Sequence, residues 1–205
     1  MNTDSLPFEL DDGVDGGAQL QQVVPRLGAA IALVRAADLG LPTPCGSWTT
    51  RDLLNHIIGG ADMFADAFGG TPVRDISGRL PDALGDDPMG AFERAAGRFG
   101  EATQQPGAME RVLELPFGPM TGRTFLRFAA FDLTVHTWDV ASVTGSEVEF
   151  PDALLTEVEA FAHHVLDAVP RNDLLCANPV PRPAEAGPLD RLIAYSGRQA
   201  GPRPV

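Results

Sequence analysis

A chain of 205 residues and 21.7 kDa can bury the core of one globular domain and is short for two. Hydrophobic residues at 44% and charged residues at 21% are ordinary globular values, which excludes a disordered or fibrous chain. Fifteen basic against 28 acidic residues leave a formal net charge of −13, so nucleic acid and anionic membranes are excluded as partners by repulsion.

Every basic residue is Arg, and without Lys there is no Schiff-base lysine chemistry. Cys45 and Cys176 are too few for a disulfide framework, and no CxxC pair offers a structural zinc site. No apolar run reaches the length of a membrane span. The first twelve residues are acidic and lack the basic start of a secretory signal, so the expected location is cytoplasmic. Residues 1–17 are expected to form an acidic flexible tail, residues 18–198 a single domain, and residues 199–205 a second tail.

The first helix is predicted over Ala18 to Asp38, because Leu20, Val23, Val24, Leu27, Ile31 and Val34 recur at spacings of three and four. Gly40, Pro42 and Pro44 stop it. Thr49 is then the expected cap of a second helix, with Asp52 completing a capping box. Leu53, Ile57, Ala61, Phe64 and Phe68 form its apolar stripe, and Gly69–Gly70 ends it. A long Pro/Gly-rich crossover from Thr71 leads to Asp87–Pro88, a cap and first-turn proline for a shorter extra helix. Met109 to Leu115 alternates as a strand does, and Phe117-Gly118-Pro119 is turn chemistry, so a small strand or hairpin is expected.

The segment from Thr121 to Thr144 is apolar on almost every side, as a helix in the middle of a bundle must be. Pro151 opens a last long helix with Leu154, Val158, Phe161, Val165 and Val169 on its core face, and Leu189 to Tyr195 supplies closing turns. The sum is a mainly α protein, a four-helix bundle with one long crossover.

Asp132 and His136 lie four apart, so one helical face carries both, together with Phe125, Ala129 and Val140. Burying ionisable groups on that face requires compensation, which either a mutual ion pair or a metal ion provides. His56 borders the stripe of the second helix beside Gly59 and Gly60; it is either a boundary histidine bonded to backbone or a third ligand. Two histidines and one carboxylate from facing helices would make a facial metal site with open positions, a catalytic rather than a structural type. Asp139 lies near the same face and is a candidate catalytic residue that orients a ligand or bonds substrate. His163 and His164 flank the core stripe of the last helix and are expected at the solvated surface. Asp62 and Asp66 fall away from the core. Trp138 is core or the wall of a pocket. Cys45 has no basic neighbour in sequence to lower its pKa.

Two blocks carry a family resemblance. Residues 42–56, PTPCGSWTTRDLLNH, resemble the "TPC–W–DLL–H" block of actinobacterial proteins related to mycothiol-dependent maleylpyruvate isomerase. Residues 132–141, DLTVHTWDVA, resemble that family's "D/E-xxx-H-x-W-D-L-A" helix, and residues 189–198, LDRLIAYSGR, its "DRLLA–GR" end. The resemblance implies a DinB-like four-helix bundle binding a divalent metal near one end, with His56, Asp132 and His136 as ligands; the isomerase has Glu where this chain has Asp132. It implies zinc, with nickel or iron as alternatives, and mycothiol as co-substrate. The metal would then activate a small-molecule thiol for attack on an electrophile, in a transferase or isomerase reaction. A non-catalytic metal-binding stress or ligand sensor and a metal-assisted hydrolase are the rival functions. Monomer and homodimer both stay open.

Overall fold

The computed structural model describes residues 6–73, 80–168, 171, 176–182 and 184–199. Among these described residues six α-helices and one two-stranded ribbon follow in the order α1 (Gly16–Ile31), α2 (Thr50–Phe68), α3 (Pro88–Thr103), β1 (Val112–Leu113), β2 (Met120–Thr121), α4 (Gly122–Thr144), α5 (Asp152–Ala168) and α6 (Pro188–Tyr195). Helix α1 packs along α4 and α2 along α3, while α2–α4 and α1–α3 contacts close the ring. The expected bundle is therefore present. Its membership differs: α3, expected as a short extra, is as long as α1 and completes the ring, whereas α5 lies outside on α4 and carries α6.

The local signals act as the sequence dictates. The Thr49 hydroxyl accepts the Asp52 N–H and the Asp52 carboxylate accepts the Thr49 N–H, forming the predicted capping box. Asp87 caps α3 ahead of Pro88. Helix α4 starts at the Thr121 cap and buries residues all round, including Phe125, Phe131, Val135, His136 and Val140.

Three expectations are corrected. Helix α1 ends at Ile31 rather than Asp38, because the Asp38 carboxylate binds the backbone and side chain of Arg35 and draws Ala36–Asp38 into a separate 3₁₀ turn. The strand expected over Met109–Leu115 contracts to Val112–Leu113, paired antiparallel with Met120–Thr121. The segment leading into the ribbon packs tightly onto the start of α4: a Cβ at Gly122 would run into the Ala108 carbonyl oxygen. The acidic stretch expected as a tail is seated from Leu6 onward. Phe8 is buried, Glu9 accepts from the Thr121 N–H and both threonine hydroxyls at the start of α4, and Asp12 pairs with buried Arg127. Residues 1–5, 200–205 and Val169 lie outside the described residues.

One apolar core gathers α4, α5, α6 and the ribbon around Phe125, Phe131 and Phe161; a second joins α1, α2 and α3 through Leu27, Leu53, Ile58 and Phe92, with Val140 of α4. On the outer face Arg98 of α3 pairs with Asp62 and Asp66 of α2, which point away from the core as expected. Among the described residues no helix is long and apolar enough to cross a membrane.

Candidate metal centre

Helices α2 and α4 bring His56, Asp132 and His136 to one point. Nε2 of His136 stands 3.3 Å from Oδ1 of Asp132, and Nε2 of His56 stands 3.9 Å from Oδ2. The two imidazoles meet edge to face with centroids 5.1 Å apart. One donor atom from each of the three residues falls within 4.8 Å of the others. The burial is graded. His136 is 4% exposed, whereas His56 and Asp132 keep 31% and 33% of their side-chain surface, so the cluster opens on one side.

Donors sharing a tetrahedral ion at about 2.0–2.2 Å stand roughly 3.4 Å apart, so these separations suit a common cation. Borderline nitrogen donors with one carboxylate are the chemistry that zinc, nickel and iron(II) accept. The residues present therefore fit a divalent metal.

Asp139 lies one turn beyond His136 and is fully buried. Its carboxylate can only accept, so Nδ1–H of His136 donates to it at 3.0 Å and Nε2 is left turned toward Asp132. Arg198, 7% exposed, donates to the same oxygen at 3.2 Å and to Sγ of Cys45 at 3.3 Å. Burial works to raise the Asp132 pKa, but the charge and hydrogen bond of His136, then those of His56, hold it far below the carboxylate range. Burial works to lower the His136 pKa, and Asp132 followed by Asp139 overcomes it, pushing it up to about 9. An ion taking Nε2 must displace that proton.

The second trio with converging donors, Cys45, His136 and Asp139, does not suit a cation, because Arg198 already sets a fixed positive charge on two of its members. Burial pushes the Cys45 thiol up to about 12, outweighing the attraction of Arg198. Cys45 thus has the basic neighbour that its local sequence lacks, and still stays a thiol.

Trp48 closes one flank of the cluster, its ring 4.8 Å from that of His56 and stacked at 6.4 Å on His136. It was legible only as a member of the 42–56 block. Trp138 packs against the main core, the first of the two roles open to it in the sequence. His163 is exposed and lies against Tyr195, as a surface residue should. His164 departs from its expected exposure: it is half-buried, and its Nε2 is buried without a hydrogen-bond partner among the described residues.

Behind His56 and Asp132, a cavity of about 880 Å³ extends between α1, α2, α3 and α4. Asp139 and His136 do not line it; His56 and Asp132 do.

Residues 20–141 match the family described as the mycothiol maleylpyruvate isomerase N-terminal domain. Uncharacterised proteins from two strains of Mycobacterium tuberculosis are each 32% identical over 179 residues, spanning 87% of this chain and 94% of theirs. Crystal structures of the mycothiol-dependent maleylpyruvate isomerase and of a histidine-to-alanine mutant superpose with TM-scores of 0.56 and 0.60, at 16% and 15% identity. Each superposition covers 73% of this chain and 70% of the other, and shows a common fold. By the extent of these matches, the chain belongs to the mycothiol maleylpyruvate isomerase N-terminal domain family.

Proposed function

We propose that this protein holds a divalent metal, zinc in first place, on His56, Asp132 and His136. It would act with a low-molecular-weight thiol such as mycothiol as a transferase or isomerase of an electrophilic substrate. The observation that carries this is the convergence of the three donors at the head of a cavity that two of them line. Bound there, the metal would act as a Lewis acid that favours the thiolate of a small thiol at neutral pH.

The chain's own residues do the rest. Asp139 fixes the ring of His136 and serves as a positioning residue, since it reaches the imidazole and not the cavity. Trp48 backs both histidines. The open side at His56 and Asp132 admits the thiol, while the apolar cavity keeps water from the electrophile. Cys45 supplies no competing nucleophile, because its thiol stays protonated.

The test is elemental analysis of the untagged protein, followed by thiol-conjugation assays on a panel of electrophiles. About one ion per chain is expected, with His56→Ala and His136→Ala each abolishing uptake and leaving helicity intact by circular dichroism. Unchanged uptake in either variant removes that residue from the ligand set. Metal retention without turnover would make the protein a binder or sensor, and turnover without added thiol would make it a hydrolase.

A further inference from the structure

We infer that the cavity behind the proposed metal ligands receives a neutral, apolar molecule with a single polar reactive end. This deepens the proposed function and rests on it for the cation that meets the polar end and for the identity of that end as the electrophile.

The lining is the first observation. Phe64, Phe92, Phe99, Phe125 and Phe128 surround the space, and its volume of about 880 Å³ is that of pockets enclosing drug-sized ligands. Charge is the second. Among the described lining residues Arg123 is the one cation, and its guanidinium already faces Glu110 at 3.3 Å; the lining carboxylates are Asp15 and Asp132. A cation on the ligand cluster can satisfy one polar end group. Nothing further inside can neutralise a second carboxylate, and between phenyl rings that charge would be left desolvated and unpaired. Small dicarboxylates are thereby disfavoured, as they are by the net charge of −13.

The third observation is a glycine in a costly place. Gly60 lies one turn after His56 in the interior of α2, where Gly is less favourable than Ala. It is buried, yet a Cβ built on it meets nothing within 4 Å. Gly100 on α3 also lines the cavity and also has open space at its Cβ position. Neither glycine is demanded by close packing; at both positions its small size leaves the cavity open. The one at Gly60 is immediately below a metal ligand, where the body of a bound molecule must pass.

The experiment titrates the full-length protein, metal-loaded and chelator-stripped, with phenylnaphthylamine, a neutral apolar fluorophore. Saturable binding of about one probe per chain is expected in both forms, undisturbed by a hundredfold excess of maleate. Gly60→Leu should weaken it at least tenfold without lowering the melting temperature, because the substitution improves helix propensity while filling the void. Gly100→Leu should act in the same direction and serves if Gly60→Leu fails to fold. No saturable binding, full-strength binding to the folded variants, or displacement by maleate would overturn the proposal. Loss of probe binding in the stripped wild-type protein strikes the cavity assignment alone, whereas absent metal uptake strikes the metal centre and the polar end and leaves the neutral, apolar class of the ligand standing.

Discussion

Asp139 is fully buried, and its carboxylate serves the Nδ1–H of His136 and the guanidinium of Arg198 through the same oxygen. Carboxylates behind ligating imidazoles hold the ring's orientation, and their loss weakens metal affinity by about 10–100-fold. Asp139→Asn is expected to lower affinity in that range, measured by competition with a chromophoric chelator; unchanged affinity would show that His136 is held by its packing alone. The same substitution strips buried Arg198 of its counter-charge and should cost about 3 kcal/mol in thermal or urea unfolding. The proposed ligands His56, Asp132 and His136 were legible as candidates because helical spacing and apolar context mark Asp132 and His136, and because the family resemblance of residues 42–56 and 132–141 adds His56 to them. Arg198 was not, because it reaches Cys45 and Asp139 from a remote part of the chain, and no local pattern records that approach.

At the scale of the elements, caps decided where helices start. Thr49→Ala removes the acceptor for the Asp52 N–H at the head of α2 and is expected to destabilise the fold by about 1 kcal/mol. Because α2 begins two turns before His56, denaturant melts of the variant should show this loss while metal stoichiometry is kept. Helix stops were harder to read than starts. Apolar residues continue past Ile31, and only the Arg35–Asp38 contacts reveal why the chain turns there. The status of α3 shows a similar limit: length and periodicity identify a helix, but whether it joins the ring or lies outside depends on the path of the crossover that precedes it. That crossover is pinned at its end by Asn55, whose side-chain oxygen accepts the N–H groups of Ala83 and Leu84.

Across the whole molecule, the N-terminal stretch is tied to α4 by the Asp12–Arg127 pair, and the Arg127 guanidinium also covers the ring of Phe161 on α5. Burial works to raise the Asp12 pKa, but the Val14 N–H and Arg127 together hold it below its ordinary 3.8. A lowered carboxylate pKa adds stability that is complete above the unfolded value and is lost as pH falls through the folded one. Unfolding measured from pH 6 downward should therefore show wild type losing its advantage over Asp12→Asn below about pH 4. At neutral pH, Asp12→Ala should cost about 1–2 kcal/mol, discounted because the carboxylate remains 39% exposed. A pH-independent difference between wild type and Asp12→Asn would show that the pair contributes no charge interaction.

The sequence by itself determined the helical class, the starts of α2, α3 and α4, the buried character of α4 and the three candidate ligands. The helical features are written in periodicity and capping chemistry, which act within a few turns of one helix, and the candidate ligands in spacing together with the family resemblance of residues 42–56 and 132–141. Only the tertiary structure decided which four helices close the ring, that Asp139 turns to His136 and Arg198, and that a phenylalanine-lined cavity opens beneath His56. Each of these depends on how separate helices approach one another, and side-chain packing between distant segments leaves no periodic trace along the chain.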